Sequence, residues 1–316
     1  MEATLKADTL SPNVAWPSDG DRKKPAMSPT RTLTLTSLAM LAFAGNSLFC
    51  RIALKHTSID PASFTTLRLA SGALTLWLLV KARQGTTAGR GNWLSALALF
   101  AYAAGFSFAY VSLPAATGAL LLFGVVQATM IGHGMWTGER LGRMQLAGFI
   151  LAFGGLIGLL LPGLSAPPLL GSVFMLGAGI AWGIYSLRGK GAGNPLRVTA
   201  GNFLRATPIA AALSLFMMHG TPLDYAGIGY AILSGALASG MGYAIWYMVL
   251  PALKATQASI VQLSVPVITA LGGILFLGES LTLRLALASA AILGGIALVI
   301  LEKPTLRPHA IPASRP

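Results

Sequence analysis

Apolar residues fall in blocks of roughly 20 along this chain, the length an α-helix needs to cross the hydrocarbon of a bilayer, and the blocks are separated by short polar or proline-marked breaks. They read as spans over 32–54, 61–81, 93–113, 115–137, 144–162, 168–188, 198–218, 225–249, 256–277 and 283–301. Asp60-Pro61, Pro114, Pro162-Gly163, Pro167-Pro168, Gly220-Thr221-Pro222, Pro251 and Lys303-Pro304 mark the breaks. Helices are expected throughout, because an open strand would leave its backbone groups unpaired in lipid. The fold class that follows is an all-α polytopic membrane protein of ten transmembrane helices.

The pattern also repeats. Adding 140 to Gly138-Glu139-Arg140-Leu141 and Gly154-Gly155 gives Gly278-Glu279-Ser280-Leu281 and Gly294-Gly295, and pairs Thr129 with Thr269. Upstream the offset is 137, pairing Arg51 with Arg188, Leu67-Arg68 with Leu204-Arg205, and the Pro114 turn with the Pro251 turn. A small insertion near Lys254 accounts for the change of offset. The expected organisation is a polar, disordered cytoplasmic tail over 1–31, a first repeat over 32–163, a second over 164–302 and a cytoplasmic tail over 303–316. With five spans per repeat, the second copy enters the membrane from the opposite face, so the repeats are expected to be inverted around a central substrate site.

Composition supports a membrane chain. Of 316 residues, 54% are hydrophobic and 10% charged, against about a quarter charged in soluble domains; the mean hydropathy is +0.70. The net charge of +13 forms no basic stripe with interleaved aromatics, which argues against a nucleic-acid partner. Sorted by side, 17 of the 22 basic residues fall in the tails and even-numbered loops, which predicts both termini in the cytoplasm. The single cysteine, Cys50, rules out an internal disulfide.

The residues resemble the drug/metabolite transporter superfamily, in its EamA-type ten-helix branch. The resemblance rests on Ala44-Gly45-Asn46, Leu67-Arg68, Gly138-Glu139-Arg140-Leu141, Ala181-Trp182-Gly183 with Tyr185 and Arg188, and Ser264-Val265-Pro266 through Leu281. It covers both halves and implies secondary transport of a small organic metabolite, often outward across the bacterial inner membrane; alternating access is what the inverted repeats themselves predict. Two positions depart from that pattern: Ala44 stands where the family usually has tryptophan, and Gly124-Val125-Val126-Gln127 where it has a proline, whereas the second half keeps Trp182 and Pro266.

Helix geometry nominates site residues independently. At about 100° per residue, Thr129, His133, Trp136 and Thr137 share one arc, and Ser259, Gln262, Pro266, Thr269 and Gly273 share the matching arc of the second half. Polar groups on one stripe are expected to face the bundle interior. His133 is the sharpest candidate, a titratable group read as deep in a span that binds substrate or carries a proton; helix–helix hydrogen bonding is the alternative. Tyr110, Trp182, Tyr185, Tyr243 and Trp246 suggest an aromatic cavity wall, and Asn46 joins the candidate set. For Arg68 and Arg205, snorkelling to the headgroups is the default expectation and anion binding the minority one. Glu139 and Glu279 are expected to cap helices or pair with arginine.

All nine carboxylates lie in tails, loops or span ends, so a carboxylate-driven exchanger is not expected. Neither a cofactor nor a metal is expected. The partners expected are a small-molecule substrate and the lipid bilayer, with homo-oligomerisation left open. An intramembrane enzyme or a non-transporting scaffold are the alternatives; no H-E-x-x-H or paired-Asp arrangement supports the first, and a matched polar stripe in both halves argues against the second.

Overall fold

The computed structural model describes residues 27–82, 90–138, 141–163, 166–189, 193–217, 224–253, 258 and 261–301. Its helices are α1 (Pro29–His56), α2 (Pro61–Ala82), α3 (Trp93–Tyr110), α4 (Ala115–Trp136), α5 (Arg143–Leu160), α6 (Leu169–Gly189), α7 (Pro195–Met217), α8 (Tyr225–Ala252), α9 (Ser264–Leu277) and α10 (Leu283–Leu301). Eight of these, all but α7 and α9, are long and apolar enough to cross a membrane. Helix α7 carries Arg197, Asn202 and Arg205, and the described part of α9 has 14 residues. There are no strands among the described residues.

Local chemistry sets the helix ends. Proline opens α2 and α7, where its missing N–H costs nothing. Asp60 Oδ1 accepts the backbone N–H groups of Ala62 and Ser63 at 2.9 Å, and Asn92 Oδ1 accepts that of Ser95 at 2.8 Å. Gly278 closes α9 in the left-handed region at φ 62°. Within α8, Leu233–Met241 winds as a π-helix, an uncommon form that often marks functional positions.

Packing pairs α5 with α10, α2 with α7, α3 and α4 with α6, and α1 with α8 and α9; the π segment of α8 lies on α2. Glycine permits the closest of these approaches: a Cβ on Gly148 of α5 would sit 2.5 Å from the Gly295 carbonyl oxygen of α10. On α8, a Cβ on Gly235 would overlap Ser71 Oγ and the Arg68 carbonyl of α2. Leu275, Phe276 and Leu283 stand fully out on the surface, an arrangement that lipid accommodates and water would not.

Candidate functional site

Five helices from both halves converge on an interior cluster. Tyr102 of α3, 5% exposed, is its centre: its hydroxyl accepts from Arg68 Nη2 of α2 at 3.0 Å and from Asn46 Nδ2 of α1 at 3.4 Å. Asn46 Oδ1 in turn accepts from the Ser234 hydroxyl at 2.7 Å, which draws in the π segment of α8. The Tyr102 ring lies 4.6 Å from Trp182 of α6, and Trp182 stacks on Tyr243 of α8 at 5.6 Å with 21° between planes. Tyr185 and Tyr247 extend this wall, held by hydroxyl contacts to Asn202 and Thr199 of α7. Offset stacks of this kind favour a planar or apolar guest, and the Asn–Ser–Tyr–Arg chain supplies the few polar groups that orient one.

A cavity of about 370 Å³ opens at one end of the bundle, lined by Arg51 and Lys55 of α1, Thr117 of α4, Ile274 of α9, Glu279 in the turn after α9 and Leu285 of α10. On its wall, Arg51 Nε meets Glu279 Oε1 at 3.2 Å, with each side chain 10% exposed. Arg51 Nη1 also donates to the Tyr110 and Val111 carbonyls at 2.9 and 3.1 Å, while Glu279 Oε2 accepts the Ala115 N–H at 2.8 Å. One ion pair thus ties α1, the α3–α4 turn and the end of α9. At the opposite helix ends, Arg188 of α6 donates to Ser95 Oγ at 3.2 Å and Asn92 Oδ1 at 3.3 Å of α3.

The nominated residues divide among these places. Asn46, Trp182, Tyr185 and Tyr243 join the interior cluster; Tyr110 lies instead beneath the ion pair, its ring edge-on to Phe106 and its hydroxyl donating to the Ala115 carbonyl. Thr129 is half-buried, returns its hydroxyl to Val125 and packs where α4 meets Gly183. The expected match between the two polar stripes fails. Thr269 is fully buried with no partner for its hydroxyl and Gln262 is half-buried, whereas His133 is exposed and Trp136 is 91% exposed. His133 is not deep in a span but in the last turn of α4. That helix buries its residues between Ala115 and Val126 against α6 and α9, and its last turns run past these neighbours. Ser259, Glu139, residues 1–26 and the tail over 303–316 lie outside the described residues, and the tail over 1–31 ends earlier than expected, since α1 begins at Pro29.

Three functional features escaped the sequence. Tyr102 has no polar echo beyond Ser239 at the 137 offset, so the repeat did not flag it. The snorkelling expectation fails for Arg68, which is 2% exposed; its repeat counterpart Arg205 is half-buried and donates to the Arg90 and Gly201 carbonyls at 2.7 and 2.8 Å. Finally, Glu279 does pair with an arginine, as expected, but the partner lies 228 residues away.

Comparison with known proteins agrees with this architecture. An uncharacterized protein of Pseudomonas aeruginosa is 60% identical over 275 residues, covering 87% of this chain and 96% of its own. An uncharacterized transporter of Archaeoglobus fulgidus is 26% identical over 282 residues, covering 85% of this chain and 97% of that protein. The threonine/homoserine exporter RhtA of Salmonella typhimurium is 30% identical over 148 residues, which is 44% of this chain and 49% of that one. One crystal structure, 19% identical, aligns with a TM-score of 0.62 over 85% of this chain and 97% of its own, which shows a shared fold. The EamA-like transporter family matches twice, over residues 30–161 and 169–301. With its many apolar helices and this double match, the chain is a multi-pass membrane protein that belongs to the EamA-like transporter family.

Proposed function

We propose that this transporter is a secondary exporter of a small organic metabolite, working by alternating access between two inverted five-helix repeats over 32–163 and 164–302. The observation that carries the reading is the interior cluster, in which Asn46 and Tyr102 of the first half meet Trp182, Ser234 and Tyr243 of the second. A scaffold has no use for a polar-aromatic site built jointly by both halves, and an enzyme would need a reactive pair that this cluster lacks. The inverted arrangement is supported by helix pairing: α2 on α7 and α5 on α10 are equivalent helices of the two halves, and α3 on α6 is matched by α8 on α1. The same reading has ten spans, an inner-membrane location and cytoplasmic termini, the last supported by the basic-residue asymmetry.

The substrate site comprises Asn46, Tyr102, Trp182, Tyr185 and Tyr243, with the buried Thr269 of α9, Gln262 just before α9 and Thr129, which packs at Gly183, completing it. The cavity lined by Arg51 and Glu279 is its entrance on the non-cytoplasmic side, and His133 and Trp136 lie at the cytoplasmic mouth. That RhtA exports threonine and homoserine favours outward movement of small metabolites. Right-side-out and inverted vesicles, assayed for flux of amino acids, nucleosides, organic cations and organic acids, test the reading. Loss of flux in Trp182→Ala with normal membrane insertion is the expected result; unchanged flux would place the site elsewhere.

A further inference from the structure

Arg68 is a cation without a counter-ion at the heart of the protein. Eight residues into α2 and 2% exposed, it reaches neither headgroup nor water. Its Nη2 donates to Tyr102, and its guanidinium lies over the Phe106 and Tyr102 rings at 4.7 and 5.2 Å. Nε and Nη1 have no acceptor among the described residues. Those two nitrogens carry three of the five N–H bonds of a guanidinium. No carboxylate among the described residues answers them: Asp60 and Asp224 cap α2 and α8, and Glu279 is engaged by Arg51 and Ala115.

An arginine held for structure does not look like this. Arg51 takes two carbonyls and a carboxylate, and Arg205 takes two carbonyls. Burying a charge with most of its donors unmet is one of the largest penalties a fold carries, so a partner that arrives later removes it. The cation stands beside the Tyr102–Trp182–Tyr243 cluster, and among the described residues no second cation lies over these rings; a single positive charge matches a monoanion better than a phosphate dianion.

We propose that Arg68 is the anion subsite of the substrate cluster: it takes the carboxylate of a small organic acid whose apolar body rests on the Tyr102–Trp182–Tyr243 stack. The inference rests on the transporter reading and names the substrate class for it. A planar guanidinium suits a carboxylate through paired hydrogen bonds. The carboxylate becomes the partner of Nε and Nη1, the two nitrogens that the protein's own described residues leave unmet.

The test uses the purified full-length protein in detergent, with unfolding temperature as the readout. Benzoate, phenyllactate and phenylalanine are each compared with the matching amide, against wild type, Arg68→Met and Arg68→Lys. At least one acid is expected to raise the wild-type Tm while its amide does not, with phenylalanine separating amino acids from simple acids. Arg68→Met is expected to unfold about 2–4 °C above unliganded wild type, since the uncompensated charge is gone, and to show no response to acids; Arg68→Lys keeps a weakened response. A purely structural arginine predicts the reverse, a clear fall in Tm for Arg68→Met, and that result would overturn the proposal. Acids and amides acting alike, or no acid acting, would overturn it equally. Vesicle flux separates the two readings: transport of any solute that persists unchanged in Arg68→Met removes the anion subsite and leaves the transporter, whereas no flux of any solute in wild type removes the transporter reading itself.

Discussion

Arg51 and Arg188 stand at equivalent positions of the two repeats, yet different chemistry holds them. Arg51 is anchored by Glu279 and two carbonyls at low exposure, across helices from both halves. Arg188 is held by the neutral Ser95 and Asn92 at an exposed helix end. Duplication copied the cation, and the opposite half supplied the partner. A charge-assisted pair excluded from water resists separation more than neutral hydrogen bonds open to it, so the two ends of the bundle part at different cost. A protein that opens its ends in turn is expected to open first at Arg188.

The largest expected effect is on the tight end. Glu279→Ala strands Arg51 and frees the Ala115 N–H, and is expected to cost roughly 3–5 kcal/mol, read from denaturant unfolding in detergent; wild-type stability in this variant would mean the pair is no lock. Glu279→Gln keeps an acceptor for Ala115 while losing the charge, and an intermediate loss of about 1.5–3 kcal/mol is expected by the same measurement. On the loose end, Arg188→Ala removes two neutral-acceptor bonds and should lose only about 0.5–1.5 kcal/mol. A loss equal to that of Glu279→Ala would erase the asymmetry.

The smallest effect concerns Asp224, on the same side as Arg51 but more open to solvent. Its carboxylate accepts the Ser58 N–H at 2.7 Å and those of Ala226 and Gly227, which hold it below its ordinary value of 3.8. A folded-state value below the unfolded one means the contribution is complete above about pH 4 and is lost as pH falls through the folded value. The stability difference between wild type and Asp224→Ala should therefore stay level from pH 8 to about 5 and shrink below about 4. A difference that grows in acid would show that the carboxylate is not the group stabilising the α1–α2 turn.

Much of the site became visible only through neighbours that are remote in sequence. Asn46, Trp182, Tyr185 and Tyr243 were recognisable because polar and aromatic residues in apolar helices need partners; the three aromatics proved to pack on one another, whereas Asn46 bonds Tyr102 and Ser234. His133 was misplaced because a 100° step orders residues around a helix but does not say where that helix leaves its neighbours. For Arg68 and Arg205 the sequence context is the same Leu-Arg pair, and only the helices facing them differ: one meets Tyr102 and Phe106, the other the backbone of Arg90.

By itself the sequence determined where the helices lie, because transfer of apolar residues to lipid and the breaking power of proline are local properties summed along about 20 residues. It also determined the duplication and, through it, the family. Tertiary structure alone decided which end of the bundle carries an ion pair, that Tyr102 rather than His133 is central, and that Arg68 is buried without a counter-ion. The physical reason is that a polar group's free energy in a bundle depends on which donors and acceptors other helices bring to it.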